Sequence, residues 1–166
     1  RLIQNYRSAF LQLAINNVYS SRPEKQELTL QLLTQMDNYF PPDILPLRNT
    51  DLELQIARLY KEAGDLDEFV NRLEILQYSS DITIENLFYI GQLYSQDLGD
   101  FEKAISIYLD LKSQYPEEFE VVLALVQAYS QLDRHNEAIN LLNTWLMLHP
   151  DHPQALQWLG LLEEIS

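Results

Sequence analysis

The chain has no cysteine among its 166 residues, only four glycines, and fewer than half as many basic residues (11) as acidic residues (25). Without cysteine it cannot form disulfides, thiolate nucleophiles or cysteine–zinc sites. The net charge of −14 repels nucleic-acid phosphates and anionic lipid surfaces, so we expect no nucleic-acid partner. No apolar run approaches the roughly 20 residues of a membrane span, so we expect no direct membrane insertion of this region.

What remains is typical of an all-helical protein. Hydrophobic residues make up 46% of the chain, and the seven prolines fall between segments of helical periodicity. The periodicity predicts nine helices, arranged as four hairpins and a final helix. The first is expected at 2–20, the second ends near Tyr39, the third runs to about Ala63, and the fourth ends at Gln77. The others are expected at 84–98, 101–114, 118–131, 135–148 and 153–165.

The central part of the chain repeats itself. Ala104 recurs as Ala138 and Pro116 recurs as Pro150, at the same interval along the sequence. A period of about 34 residues indicates stacked helix–turn–helix units.

One extra residue interrupts this register. Tyr94 recurs as Tyr129, one position later than the alanine and proline pairs predict. The segment from Tyr94 to Gly99 is correspondingly one position longer than the segment from Tyr129 to Asp133. The additional residue therefore lies between Tyr94 and Gly99.

The N-terminal segment, 1–49, matches the repeat poorly. We expect capping boxes at 21–24 and 50–53, and a loop at 41–46 that packs against the helices, because its prolines disfavour a helix. The apolar faces of the first two helices are predicted to contain Leu2, Ile3, Tyr6, Phe10, Leu13, Ala14, Val18, Leu28, Leu32, Leu33, Met36 and Tyr39, with the polar Asn17 in phase.

The repeated positions resemble the tetratricopeptide repeat. Two copies are clear and an earlier one is weaker. The matching residues are Leu87, Ile90, Gly91, Tyr94, Gly99, Asp100, Ala104, Tyr108 and Pro116; Val122, Leu125, Tyr129, Ala138, Leu142 and Pro150; and Ile56, Ala57, Tyr60, Gly64, Asp65 and Leu73.

The resemblance implies an all-α, right-handed superhelix of antiparallel helix hairpins in a single domain, residues 1–166. Residues 1–49 would form a divergent hairpin and a proline-rich loop. Repeats would follow at 50–82, 83–116 and 117–150, with a capping helix at 151–166. Small residues such as Gly91 and Ala104 would let paired helices approach closely, whereas Phe69 opposite Ala57 would hold one hairpin further apart.

In this family the first helices of the hairpins line a concave groove, which implies a binding surface for a protein or peptide. The corresponding positions are Leu54, Arg58, Lys61, Glu62, Phe88, Gln92, Ser95, Gln96, Leu123, Gln127, Ser130 and Gln131. The lysines and asparagines with which many chaperone-binding members hold a terminal carboxylate are largely replaced by apolar residues or glutamine. Glutamine and serine suit a peptide backbone or sugar hydroxyls; the alternative is a solvated surface without a ligand.

For the other candidate residues, the histidines, acidic clusters and aromatic side chains, we expect structural roles. His149 and His152 could hold a metal, but prolines fix a turn there and no further ligands are evident. The acidic clusters mostly fall in first helical turns and lack calcium-loop spacing. No catalytic constellation occurs, so we expect no enzyme activity, cofactor or metal in this region. The recurring tyrosines are expected to lie in the core. Trp145 and Trp158 are expected to pack between the last hairpin and the final helix.

A second resemblance concerns the parent protein. Residues 41–46 and 53–65 look like the soluble C-terminal region of large bacterial membrane proteins related to protein O-mannosyltransferases. Because the chain begins with Arg1, we expect it to be a piece of a longer protein.

Three functional hypotheses therefore stand. The chain is a non-catalytic module that binds a peptide or protein; it is an accessory domain of a membrane-bound glycosyltransferase; or it associates weakly with itself through the final helix. The last hypothesis depends on Leu156, Leu159, Leu161 and Leu162, which could leave apolar surface uncovered.

Overall fold

The computed structural model describes residues 2–47 and 49–165, and side chains from residue 5 onward in that range. This part of the chain contains nine helices and no strand, as predicted. They are α1 (Leu2–Val18), α2 (Lys25–Tyr39), α3 (Thr50–Glu62), α4 (Leu66–Gln77), α5 (Ile84–Gln92, continued by a π-helical turn at Leu93–Asp97), α6 (Phe101–Gln114), α7 (Phe119–Gln131), α8 (His135–Leu148) and α9 (Pro153–Ile165).

The helices form two compact units, which divide between residues 83 and 84. The first contains α1 to α4 and the second α5 to α9. In both units consecutive helices pack against each other as hairpins. None of the described helices combines the length and the apolar character needed to cross a membrane.

In the first hairpin the sequence-based assignment of the buried face is partly wrong. Tyr6, Leu13 and Tyr39 are exposed, whereas Arg7 and Thr29 are buried. The predicted side chains of Leu2 and Ile3 lie outside the described residues. The buried face of this hairpin includes polar side chains that form hydrogen bonds. A pattern of apolar residues alone cannot identify such buried polar positions.

Asn17 illustrates this polar contact. Its side-chain amide donates to the Thr29 hydroxyl at 3.0 Å and to the Lys25 carbonyl at 2.9 Å. Buried polar groups are tolerated when they are hydrogen-bonded. The pair therefore fixes α1 against α2 where the sequence pattern indicated only a break in the apolar stripe.

Both predicted capping boxes are wrong in position. Helix α2 begins only at Lys25, and Glu24 before it makes no side-chain capping bond. At α3 the cap is Asn49, whose side chain accepts from the Leu52 N–H at 2.9 Å. Asparagine is among the best N-cap residues, so it takes the position assigned to the threonine that follows.

The proline-rich loop is anchored by Arg7. The guanidinium donates to the Phe40 carbonyl at 3.0 Å and also to the Leu45 carbonyl. Leu47 packs against the core of the first unit, but Ile44 is 70% exposed. The predicted packing of this loop is therefore correct for one end and wrong for Ile44.

Three hairpin turns have the same construction. Each contains one residue with positive φ, a region that favours glycine. In each turn the residue after the positive-φ residue donates its backbone N–H to a tyrosine carbonyl, with a donor–acceptor distance of 2.9 Å. The turn residues are Gly64 (φ 88°), Gly99 (φ 66°) and Asp133 (φ 56°); the donor–acceptor pairs are Asp65–Tyr60, Asp100–Tyr94 and Arg134–Tyr129.

The π-helical turn accommodates the extra residue. The Leu98 N–H bonds to the Leu93 carbonyl, five positions earlier, at 3.2 Å. A single π turn widens the helix by one residue and is frequent at functional sites. The interruption of the repeat register thus corresponds to a local change inside the first helix of a hairpin.

The close approach of α5 and α6 involves Gly91 and Tyr108. A Cβ built on Gly91 would lie 2.9 Å from Cζ of the Tyr108 ring. The sequence indicated Ala104 as the neighbour; Ala104 is fully buried, but the ring over Gly91 belongs to Tyr108. In the first unit Phe69 and Ala57 are both fully buried.

Candidate binding groove

A groove of about 670 Å³ lies within the second unit. Its walls come from α5 with its π turn, α6, α7 and α9. The residues that line it are Phe88, Gln92, Ser95, Gln96, Phe101, Tyr108, Glu120, Leu123, Ala124, Gln127, Ala128, Gln131 and Trp158. The volume is within the range of ordinary ligand-binding clefts.

Four glutamines form a polar row along the groove. Gln92 and Gln96 come from α5 and the π turn, and Gln127 and Gln131 from equivalent positions of α7. Each primary amide can donate and accept hydrogen bonds, which is the pairing that an extended peptide backbone requires. The structure therefore brings these four predicted residues together.

Aromatic rings supply much of the apolar surface of the groove. Phe88 lies 5.5 Å from Tyr108 between ring centroids, and Phe101 and Trp158 line the same cavity. Sequence reasoning missed Phe101 and Tyr108 as lining residues and assigned Trp158 only to packing. Trp158 stands one repeat period after Ala124, another lining residue, so continuing the repeat register into α9 would have placed it here.

The two predicted serines contribute less than expected. The Ser95 hydroxyl donates to the Gln92 carbonyl at 3.1 Å, and the Ser130 hydroxyl donates to the Val126 carbonyl at 2.7 Å. Ser130 does not line the cavity. Since these donors already serve their own helices, the glutamines supply most of the polar capacity of the groove.

The electrostatic character of the groove is neutral to acidic. Among its described lining residues the one charged side chain is Glu120, and neither lysine nor arginine occurs. Burial raises the pKa of the Tyr108 phenol, with an opposing contribution from a hydrogen bond with Ser95. Tyr108 is therefore a neutral phenol near pH 7, and the groove offers no cation to a carboxylate.

The predicted groove residues of the first unit differ in exposure. Leu54 is 4% exposed and belongs to the core, so its assignment to a binding surface is wrong. Arg58 and Glu62 are exposed and line a separate shallow cavity of about 270 Å³, while Lys61 is half-buried.

The two histidines take part in an aromatic cluster. His149 stacks on Trp145 with ring centroids 4.2 Å apart, and His152 lies 3.9 Å from the Phe119 ring. The His152 Nδ1 accepts from the Ala155 N–H at 3.3 Å at the start of α9. In the described part of the chain no three histidine, aspartate or glutamate side chains converge as metal ligands would.

The recurring tyrosines occupy the core, as predicted. Tyr60, Tyr94 and Tyr129 are all buried. A cationic side chain lies over each ring, from the following helix in two cases and from the residue that precedes that helix in the third. The pairs are Arg72 with Tyr60, Lys103 with Tyr94 and Arg134 with Tyr129.

Comparison with known proteins supports the repeat assignment. Residues 96–162 match the sequence profile of the tetratricopeptide repeat. A TPR repeat-containing protein of Bacillus subtilis (strain 168), YpiA, is 30% identical over 103 residues, which is 62% of this chain. The chain spans only 24% of that relative's length.

Solved structures agree on the fold. MamA from AMB-1 is 19% identical and superimposes with a TM-score of 0.59, covering 97% of this chain and 82% of MamA. Pseudomonas aeruginosa PilF is 18% identical with a TM-score of 0.51, covering 98% of this chain and 69% of PilF. These likenesses confirm the predicted all-α, TPR-like fold.

Proposed function

We propose that this tetratricopeptide repeat domain is a non-catalytic module that binds an extended internal segment of a partner protein in the groove of the second unit. Tetratricopeptide repeats are a scaffold for protein interaction, and the finer assignment depends on the groove itself. The observation that supports it is that four glutamines and four aromatic side chains line one cavity of about 670 Å³.

The groove chemistry favours an internal segment over a chain terminus. A terminal carboxylate would meet Glu120 and no lysine or arginine among the described lining residues. Burying an unpaired carboxylate is costly. A peptide backbone can instead pair with the amides of Gln92 and Gln127, while an apolar side chain lies on the rings of Phe88 and Trp158.

The test is a double substitution in the polar row. Gln92→Ala with Gln127→Ala should lower the affinity for a partner found by pull-down about tenfold or more. The reason is that two amide contacts worth about 0.5–1.5 kcal/mol each are lost. The matched control is Gln114→Ala with Gln154→Ala, which removes two exposed glutamines that do not line the groove.

Melting temperature separates a binding defect from unfolding. All four positions are at least partly exposed, so both double variants should melt close to the parent. Equal binding by the two variants, or hydrogen-exchange protection confined to residues outside the groove, would contradict the proposal.

Self-association through α9 is a second candidate. Leu156 and Leu161 are about half exposed, at 48% and 49%, whereas Leu162 is buried and Leu159 is half-buried. The available apolar face is therefore smaller than the sequence indicated, and Leu162 belongs to the core. Light scattering that shows the mass of the monomer at two protein concentrations would exclude this candidate.

The glycosyltransferase hypothesis and the place of this chain in a longer protein stay predictions about the parent gene. A series of hydrophobic spans encoded upstream would support both.

A further inference from the structure

A second cavity, of about 570 Å³, lies within the first unit and shares no lining residue with the glutamine groove. We name it the proline-loop pocket. It is bounded by the loop at 42–47, the start of α3, one face of α4 and the segment that follows α4. Its size is that of a ligand-binding cleft, and neither the repeat register nor the relatives described above assign it a role.

The loop that forms one wall is held in a defined conformation. The Leu45 N–H bonds to the Pro41 carbonyl at 2.8 Å, and Arg7 bonds to the carbonyls of Phe40 and Leu45. A wall fixed in this way loses little conformational entropy when a ligand binds. The pocket is therefore preorganised.

The floor is a buried arrangement of charges. Arg72 is 6% exposed and forms ion pairs with the carboxylates of Asp37, Glu53 and Glu68. One guanidinium faces three carboxylates, so the cluster keeps an excess of negative charge. Because the site is partly screened from water, this excess acts more strongly than it would on an open surface.

The side chains that line the pocket also carry an excess of negative charge. Four acidic side chains, Asp43, Glu53, Glu68 and Asp81, line it against the single basic side chain of Arg72. The formal charge of the lining is thus −3. An anionic ligand would be repelled, and a neutral apolar ligand would remove water from carboxylates without replacing its hydrogen bonds.

The remaining lining is largely apolar. Leu47, Leu76 and Ile75 contribute to the wall, and Ile75 is 65% exposed although it lies on a packed helix. Lysine and arginine combine an aliphatic stem that lies on apolar surface with a cationic end. We propose that the proline-loop pocket receives a lysine or arginine side chain from an extended segment of a partner protein.

The test uses a defined probe. An acetylated and amidated leucine–lysine–leucine tripeptide is titrated into the whole chain and followed by amide chemical shifts. We expect saturable binding with shifts around Leu47 and Ile75, and about tenfold weaker binding when norleucine replaces lysine, since norleucine keeps the stem but not the charge.

Variants at the rim establish the site without disturbing the Arg72 network. Asp43→Asn with Asp81→Asn should weaken the lysine peptide several-fold. The control Asp110→Asn with Asp133→Asn removes the same charge from exposed positions of the second unit and should leave binding unchanged. Ile75→Ser should also weaken binding, whereas the control Leu109→Ser, on exposed α6 surface, should not.

Several results would overturn the proposal. They are the absence of saturable binding at millimolar peptide, equal binding of the norleucine peptide, shifts centred on the glutamine groove, and n-butylammonium binding as tightly as the tripeptide. The last result would assign the pocket to small amines and not to a protein segment. The proposal does not depend on the groove of the second unit, so either can fail alone.

Discussion

The two units solve the same packing problem with different chemistry. In the second unit the inward positions of the first helix pair are apolar, with the buried Ile107 on α6 and the half-buried Leu87 on α5. In the first unit those two repeat positions hold Arg72 and Glu53, which pair with each other inside the hairpin. A helical repeat can therefore accept an ion pair at core positions when both partners change together.

The charged core also connects helices that are distant in sequence. Asp37 of α2 bonds both to Arg72 of α4 and to the Tyr60 hydroxyl of α3. The network thus joins the divergent hairpin to the first recognisable repeat. In the second unit a similar cation, Arg134, lies at the surface and pairs with Glu102 and Glu137.

The strongest test of this difference is Arg72→Met. Removing one partner of a buried ion-pair network leaves uncompensated carboxylates, so the variant should lose about 3–5 kcal/mol of unfolding free energy. Arg134→Met in the second unit is the matched control and should change urea denaturation little, because that arginine lies at the surface.

A compensated variant sharpens the same test. Adding Glu53→Leu and Asp37→Asn to Arg72→Met removes the two less exposed of the three stranded carboxylates and leaves Glu68, whose side chain is 31% exposed. The triple variant should recover much of the loss, since apolar replacement of buried ion pairs is often neutral. If Arg72→Met is as stable as Arg134→Met, the network has no role in holding the first unit.

The second unit depends instead on steric fit at Gly91. Gly91→Ala should cost about 1–3 kcal/mol, because the new methyl group overlaps the buried Tyr108 ring. Gly160→Ala is the control: its Cβ would meet nothing within 4 Å, so removing a helical glycine there should gain up to about 1 kcal/mol.

Relieving the overlap should restore stability. The double variant Gly91→Ala with Tyr108→Leu imitates the first unit, where Ala57 and Leu73 occupy these repeat positions. In urea denaturation the double variant should lose less unfolding free energy than the sum of the losses of the two single variants. Strict additivity would mean that the ring moves aside without cost.

The two units should also respond differently to acid. Burial raises the pKa of Asp37 and of Glu53 in the first unit, while the hydrogen bond from Arg134 lowers the pKa of Glu137 in the second. A carboxyl whose folded pKa is raised binds protons more readily in the folded state, so its contribution to stability increases as pH falls toward the unfolded pKa of about 4. Glu137 contributes the opposite change, and only as pH falls through its lowered pKa.

Denaturant midpoints at two pH values check this sign. As the pH falls from about 7 toward the unfolded pKa of about 4, we expect Asp37 and Glu53 to add stability, because they bind protons in the folded state before they do so in the unfolded chain, whereas Glu137 does not. A steady loss of stability over this interval would show that their ion pairs with Arg72 outweigh the burial of these carboxyls.

The extent to which sequence alone predicted this structure follows the same division. In the second unit the repeat register located every helix to within about one residue at its N-terminal end, and the four groove glutamines, because repeated local patterns dictate both. In the first unit Arg72 and Glu53 stood at repeat positions that are apolar elsewhere, a visible signal. Their partner Asp37 lies in a hairpin without the repeat pattern, and the contact between them is a tertiary one.

Misassigned caps and faces have a local physical cause. Asn49 and Thr50 are both good N-cap residues, and the choice between them depends on the conformation of the preceding loop. Trp158 was assigned to packing because α9 was treated as a cap and not as the first helix of another unit. The proline-loop pocket could not be predicted, since it depends on where Arg7 holds a loop that is distant from it in the sequence.

The smallest effect concerns the hairpin turns. Gly64 and Gly99 take positive φ in the first two, whereas Asp133 takes φ 56° in the third. Left-handed backbone costs most residues about 1–2 kcal/mol and aspartate somewhat less, so Asp133→Gly should gain about 0.5–1 kcal/mol, reduced by the greater freedom that glycine gives the unfolded chain. Gly99→Ala should lose stability by a similar amount. The Asp133 side chain is almost fully exposed, so no packing is removed. If urea denaturation shows Asp133→Gly to be less stable than the parent, the turn is held by that carboxylate and not by backbone conformation.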